Sequence, residues 1–177
     1  MKKLIALFSL LCVIAMPFAV TAETTVPEIN WADMEPIVKA SEISGSFYSL
    51  SDMGLMFWVP DGLEPVEVSE EDAAAGRYAL LMDEEKTCAL SIDTLYMEGM
   101  TLDQAYENAV ANGMKEPEIV TVNGIGTLSY TNEADDIGSI VLVDTNCNMI
   151  IFSFAPFSAD GAEIVFSFIA ASIMPLE

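Results

Sequence analysis

Apolar and polar positions along residues 45–175 form short runs, many of them alternating, that are separated by turn residues. This pattern is typical of strands joined by hairpins. Asn123-Gly124 is a strong hairpin signal, and Pro60-Asp61-Gly62 predicts the end of a strand. The predicted strands cover residues 47–50, 55–59, 65–68, 77–83, 87–97, 118–122, 125–131, 139–144 and 149–154.

Two longer segments have apolar residues at helical spacing instead. In residues 101–114, Thr101 is a good N-cap and Gly113 with Pro117 predicts the end of the helix. Residues 160–174 predict a buried final helix capped by Asp160. Shorter helical patterns occupy 31–40 and 69–75, and a structured loop is an equal alternative for the second. The order of elements predicts an α+β fold, with an antiparallel sheet of about six to eight strands covered by helices.

The N-terminus has the pattern of a secretory signal peptide over residues 1–22. Lys2 and Lys3 precede an apolar stretch, and small residues follow it up to Ala22. Such a segment directs export and is removed, so we expect a secreted or extracellular protein that begins at Glu23. An uncleaved anchor is the alternative, but the small residues at 19–22 favour cleavage.

The rest of the chain divides into an arm and one domain. Residues 23–44 are polar, contain two prolines and predict a loosely docked mature N-terminal arm, whereas residues 45–177 predict a single α+β domain. After the predicted cleavage, no stretch is long and apolar enough to span a bilayer, so we expect no membrane attachment.

The chain is strongly acidic, with 28 carboxylates against 6 basic residues and a formal net charge of −22. Such a charge repels phosphate backbones and anionic lipid surfaces, which argues against nucleic acid as a partner. A solvated surface explains the charge most simply, and attraction of cations or of a basic protein is the other interpretation.

Cysteine and histidine content limits the chemistry. The chain has no His, which excludes Ser-His-Asp and Cys-His catalysis and His-ligated metals. Cys88 and Cys147 each begin a predicted strand, so a disulfide is possible if those strand starts are neighbours. The alternative is two buried thiols.

Calcium is the cofactor that the sequence could accommodate, because it prefers carboxylate, amide and carbonyl oxygens. Asp144, Asn146 and Asn148 place oxygens at alternate positions, and Asp135 with Asp136 forms a second acidic cluster. A calcium loop would have Gly at position 149 and Glu at 155, where this chain has Met and Ala. A solvated hairpin turn is the simpler interpretation of both clusters.

Phe57 and Trp58 are adjacent in one predicted strand and therefore lie on opposite faces. We expect one of the two to be exposed and to mark a partner surface. The Met residues are scattered without a repeated short spacing, and core packing explains them.

The motifs at both ends of residues 45–175 resemble PsbP-like domains. The run from Met53-Gly54-Leu55 to Val59-Pro60-Asp61-Gly62 resembles their opening strand, and residues 166–173 resemble their closing helix. The resemblance implies a PsbP-like α/β/α sandwich and a binding or assembly role without catalysis. Photosynthetic members assist the oxygen-evolving complex and another branch binds a small GTPase. The basic and His residues that serve those roles have no matching positions here.

The sequence therefore predicts an exported, non-catalytic module that acts through contacts with an extracellular or cell-surface protein. Two alternatives remain open at this point. One is an extracellular calcium-binding domain, and the other is a small hydrolase that uses two carboxylates.

Overall fold

The computed structural model describes residues 26–176, and the predicted signal peptide at 1–22 lies outside them. The helices are α1 (Trp31–Ala40), α2 (Glu70–Ala74), α3 (Leu102–Ala111) and α4 (Ala162–Ala171). The strands are β1 (Glu28–Ile29), β2 (Gly45–Leu50), β3 (Leu55–Pro60), β4 (Glu64–Val66), β5 (Arg77–Met82), β6 (Ala89–Tyr96), β7 (Lys115–Val122), β8 (Ile125–Asn132), β9 (Ile137–Val143), β10 (Asn148–Ala155) and β11 (Met174–Pro175).

Most of the strands form one eight-stranded sheet in the order β1-β7-β8-β9-β10-β6-β5-β4. Neighbouring strands pair antiparallel, except for β1 and β7, which are parallel. The β2–β3 hairpin was predicted correctly, but it joins β11 in a separate three-stranded sheet. The predicted α+β fold with a predominantly antiparallel sheet is confirmed.

The inner face of the large sheet carries the main core. Phe152 on β10 contacts Phe57 on β3 edge to face, with ring centroids 5.1 Å apart. Helix α4 packs beside the small sheet, where Phe168 lies against Trp58. This core therefore lies between the large sheet on one side and the small sheet with α1 and α4 on the other.

The opposite, outer face of the large sheet is covered in part by α3, which packs on β7, β8 and β9. The predicted N-cap is confirmed and belongs to a capping box. The Thr101 hydroxyl oxygen accepts from the Gln104 N–H at 3.2 Å, and the Thr101 N–H donates to Gln104 Oε1 at 3.0 Å. Ala105 and Ala109 are buried against the sheet, so the helix lies close to it.

Residues 26–44, predicted as a loosely docked arm, are built into the fold. β1 pairs with β7, and Val38 of α1 is part of the core. Asn123, in the turn between β7 and β8, accepts from the Trp31 N–H at 2.6 Å and donates to the carbonyls of Ala171 and Ile173 at 2.9 and 2.8 Å. One amide thus joins α1, a sheet turn and the end of α4.

Helix α4 begins differently from the prediction. Its N-cap is Gly161, with φ of 81° and no side-chain cap, so the predicted cap at Asp160 is wrong. Within residues 26–176, no helix combines the length and the apolar character needed to cross a bilayer.

Candidate binding face

The two faces of the large sheet differ in how far they are covered. Along β5, β6 and β10, burial alternates between buried residues on the inner face and partly exposed residues on the outer face. Helix α3 packs on the β7–β9 side, so the outer face of β4, β5, β6 and β10, called here the open half, remains accessible.

Apolar side chains dominate the open half, although none of them was predicted to be exposed. Leu95 is 49% and Val66 is 37% exposed, and the remaining apolar positions are partly buried. The apolar members are Val66, Leu80, Met82, Ala89, Leu95, Met149, Ile151 and Ala155. A contiguous, partly exposed apolar surface of this kind is typical of an interaction site.

Few charges of this acidic chain lie on the open half. Its strand residues include two acids, Glu64 and Asp93, and one base, Arg77. Arg77 Nε donates to Asp93 Oδ1 at 2.7 Å, and the Ser91 hydroxyl donates to Asp93 Oδ2 at 2.9 Å. Both members of the ion pair are therefore engaged within the face, which is nearly neutral.

A groove of about 470 Å³ lies where α3 borders the open half. The side of α3 contributes Asn108 and Asn112, and the strands contribute Tyr130 and Met149. Met97, 37% exposed, and Met114 complete the apolar wall. Because Met side chains are flexible and polarisable, this wall can adapt to the shape of a ligand.

Hydroxyl groups lie among these apolar groups. The hydroxyls of Ser139 and Ser153 are 3.3 Å apart across the β9–β10 pair. Burial raises the pKa of the neighbouring Tyr130 hydroxyl above its ordinary value, and a hydrogen bond with Ser139 opposes that shift. Tyr130 is therefore a neutral hydrogen-bonding group at physiological pH.

The groove has the composition of a binding site. No carboxylate, thiol or imidazole belongs to the described residues that line it, so no general base lies beside its hydroxyls. Apolar walls with a few hydroxyl and amide groups are what ligand and peptide sites present.

The predicted interaction residues Phe57 and Trp58 do not form an exposed site. Phe57 is fully buried against Phe152, and Trp58, 5% exposed, packs between Trp31 and Phe168. They do lie on opposite faces of β3, as predicted, but both faces of that strand are covered. The expectation of an exposed aromatic at these positions is wrong.

The candidate disulfide between Cys88 and Cys147 is also wrong, because both cysteines are free. Cys88 directly precedes β6 and Cys147 directly precedes β10, and these strands are indeed neighbours. They run antiparallel, with Ala89 opposite Ala155 and Asn148 opposite Tyr96, so the two starts lie at opposite ends of the pair. At ~3.4 Å per residue the thiols are about 25 Å apart, too far for a bond.

The carboxylates predicted as calcium ligands organise hairpin turns. Asp144 Oδ1 accepts from the N–H groups of Asn146 and Asn148 at 2.7 and 2.9 Å, and Asp144 Oδ2 accepts from Asn148 Nδ2 at 2.8 Å. Burial is the largest single influence on Asp144 and raises its pKa, but the hydrogen bonds together outweigh it and the net pKa is lowered. Its oxygens already serve the turn.

The carboxylates of the second acidic cluster also accept hydrogen bonds, and Asp136 joins its turn to the loop after β10. Asp136 accepts from the Ser158 N–H and hydroxyl at 2.7 and 2.6 Å, and Asp135 accepts from Asn132 Nδ2 at 2.7 Å. The two clusters lie at opposite ends of β9, about 25 Å apart at ~3.3 Å per residue, so they cannot form one site. Within residues 26–176, His, Cys, Asp and Glu side chains form no group of three or more that could hold a metal.

Sequence reasoning missed the groove residues Met97, Met114 and Met149. They are far apart in the chain, and only the sheet order and the position of α3 bring them together. Their one sequence signal is an unusually high Met content, 11 in the chain, which also fits a core.

No protein-family model matches the chain, and no curated protein matches its sequence. Its fold is similar to the solution structure of cyanobacterial PsbP (CyanoP) from Synechocystis sp. PCC 6803, with 19% identity and a TM-score of 0.51 over 75% of this chain and 93% of that one. The Ran-binding protein Mog1p of Saccharomyces cerevisiae matches at 14% identity and a TM-score of 0.44, over 77% of this chain and 97% of that one.

A protein of Bacteroides thetaiotaomicron is 13% identical over 75% of this chain and 49% of its own, with a TM-score of 0.47. At these identities the likeness concerns the fold alone. The chain has a PsbP-like fold, as the resemblance of its sequence motifs predicts.

Proposed function

We propose that this protein is an exported, non-catalytic binding or assembly module that contacts an extracellular or cell-surface protein through the open half of its large sheet. The observation that carries the proposal is that apolar strand residues are left accessible there in a chain with a net charge of −22. A surface that served only solubility would carry that charge more evenly.

Charge complementarity defines the partner further. The open half is nearly neutral, whereas the rest of the surface is acidic, so a matching protein surface has an apolar centre with Lys or Arg at its rim. Such a rim accelerates association and makes it sensitive to salt.

A pair of variants tests the binding surface. Ile151→Lys puts a charge into the open half, and Ile164→Lys makes the same change at a 37% exposed position on α4. Extracellular and cell-surface proteins captured by the wild-type protein should also be recovered with Ile164→Lys and lost with Ile151→Lys. The absence of a reproducible partner, or equal recovery with both variants, would contradict the proposal.

The export part of the proposal is tested by N-terminal sequencing. The protein recovered outside the producing cells should begin at Glu23 on N-terminal sequencing, since Ala22 ends the predicted signal peptide. A chain that remains inside and retains residues 1–22 would contradict this part of the proposal without affecting the binding surface.

A further inference from the structure

The edge strands of the two sheets are protected unequally. β4 contains Pro65, β11 contains Pro175, and Pro27 directly precedes β1. Proline and charge at an edge discourage the addition of another strand. β2 has neither, since its sequence is Gly-Ser-Phe-Tyr-Ser-Leu. In the part of the chain that the structure describes, β3 is its only strand partner.

The hydrogen bonds around the hairpin show which groups of β2 point outward. The Asp61 N–H donates to the Ser44 carbonyl at 2.8 Å, so Ser44 and every second residue after it direct their backbone groups toward β3. Trp58, which lies opposite Phe47, donates its N–H away from β2 to Ser172 Oγ at 2.7 Å. Both hydrogen bonds give the same alternation: every second residue of β2 directs its backbone groups toward β3, and the residues between them direct theirs away.

Three residues of β2 therefore turn their N–H and carbonyl groups away from β3. They are Gly45, Phe47 and Ser49, and all three are exposed. An extended segment alongside β2 can pair with these groups in regular register, as it would in a sheet.

A pocket of about 440 Å³ adjoins the same edge, between α1 and β2. Trp31, Phe47 and Trp58 form its aromatic wall, with the Trp31 and Phe47 rings 5.6 Å apart and edge to face. Phe47 is 40% exposed. Because side chains alternate along a strand, an added strand would direct every second side chain toward this wall.

Acidic groups border the pocket. Lys39 Nζ pairs with the Glu35 carboxylate at 2.9 Å, which leaves Glu42 without an ion-pair partner among the described residues. The pocket margin is therefore net negative, and a basic side chain on an incoming segment would be attracted to it.

We propose that the β2 edge binds an extended segment of a partner protein by strand addition, with an apolar side chain against Trp31, Phe47 and Trp58 and a Lys or Arg beside Glu42. A partner of opposite charge is favoured over a second copy of this chain, because two copies of so acidic a chain would repel each other. This edge belongs to the small sheet and is separate from the open half of the large one.

A library of random nine-residue peptides, panned on the purified exported protein, provides the probe. Ser49→Pro removes an outward N–H while leaving the bonds to β3 in place, and proline is tolerated at such edge positions. Ser49→Thr keeps that N–H and is the matched control. The selected peptides should alternate apolar residues, carry Lys or Arg, and bind Ser49→Pro about tenfold more weakly than Ser49→Thr or wild type.

A second variant tests the site independently, in case Ser49→Pro does not fold. Phe47→Ser keeps the backbone groups but removes part of the aromatic wall, so it should also weaken the selected peptides. Ile151→Lys should leave peptide binding unchanged, which separates this site from the proposed partner surface. Three results would overturn the proposal: no peptide is selected, the selected peptides bind Ser49→Pro as well as wild type, or sedimentation shows a dimer of this chain that Ser49→Pro abolishes.

Discussion

The two faces of the eight-stranded sheet are both apolar, yet only one is fully covered. On β10, Ile150 faces the inner core and is 6% exposed, whereas its neighbour Ile151 faces outward and is partly exposed. Across the sheet, Val141 of β9 pairs with Ile151 but is completely buried in the cluster that α3 covers. Three adjacent aliphatic residues thus lie in three different environments, and the comparison separates what holds the fold together from what is left for binding.

The largest expected difference in stability is between a Lys substitution in the covered part of the outer face and one in its open part. Val141→Lys would bury an unpaired charge under α3 and should reduce the free energy of unfolding by about 4 kcal/mol or more. Ile151→Lys, its cross-strand partner, can reach solvent and should cost no more than about 1 kcal/mol. Urea unfolding monitored by circular dichroism measures both. Equal destabilisation by the two variants would mean that the open half is a buried part of the fold.

A smaller difference in stability is expected when the same Ile→Ala substitution is made on the inner face and on the outer face. Ile150→Ala removes a buried side chain and should destabilise the protein by about 3 kcal/mol, because it loses burial and leaves a cavity. Ile151→Ala loses less burial and opens no enclosed cavity, so about 1 kcal/mol is expected. Since the two residues are adjacent on one strand, local strand propensity is the same for both. Similar losses from the two variants in urea unfolding would contradict the assignment of inner and outer faces.

This comparison also explains what the sequence could predict. Local chemistry determined the hairpin at Asn123-Gly124, with φ of 48° and 80°, and the capping box that begins at Thr101. In β6, Leu90 and Ile92 are buried and alternate with the partly exposed Ser91, a pattern that lies within a few residues of the sequence. In each case the residues that decide the structure are close together in the chain.

The features that the sequence did not predict depend on how distant segments of the chain pack together. In β10 the run Met-Ile-Ile-Phe is apolar on both faces, so its pattern contains no sign of which face is covered. Both strand starts at Cys88 and Cys147 were predicted, but the antiparallel direction of β6 and β10 places them at opposite ends. The burial of Phe57 and Trp58 depends on a second sheet that no local pattern predicts.

The smallest expected effect concerns Tyr130, which lies in the groove at the border between the covered and open parts. Its folded-state pKa is raised above the ordinary value of 10.0, chiefly by burial. The folded protein therefore retains this proton at a pH where the unfolded chain releases it, and stability should fall as pH rises from about 10 through the folded pKa. An absorbance titration at 295 nm, taken as the difference between wild type and Tyr130→Phe, should place this transition above pH 10.

Ser139→Ala provides a second test of the Tyr130 pKa in the same absorbance titration. The hydrogen bond with Ser139 lowers the pKa of Tyr130, so its removal should move the transition to still higher pH while Tyr130 remains half-buried. Tyr130→Phe, in turn, should lose less stability than wild type as pH rises above 10, because it has no proton to release at this position. A Tyr130 transition at pH 10 that Ser139→Ala leaves unchanged would mean that solvent reaches this hydroxyl freely. The groove would then belong entirely to the open half, and the limit of the surface that α3 covers would lie closer to Leu128.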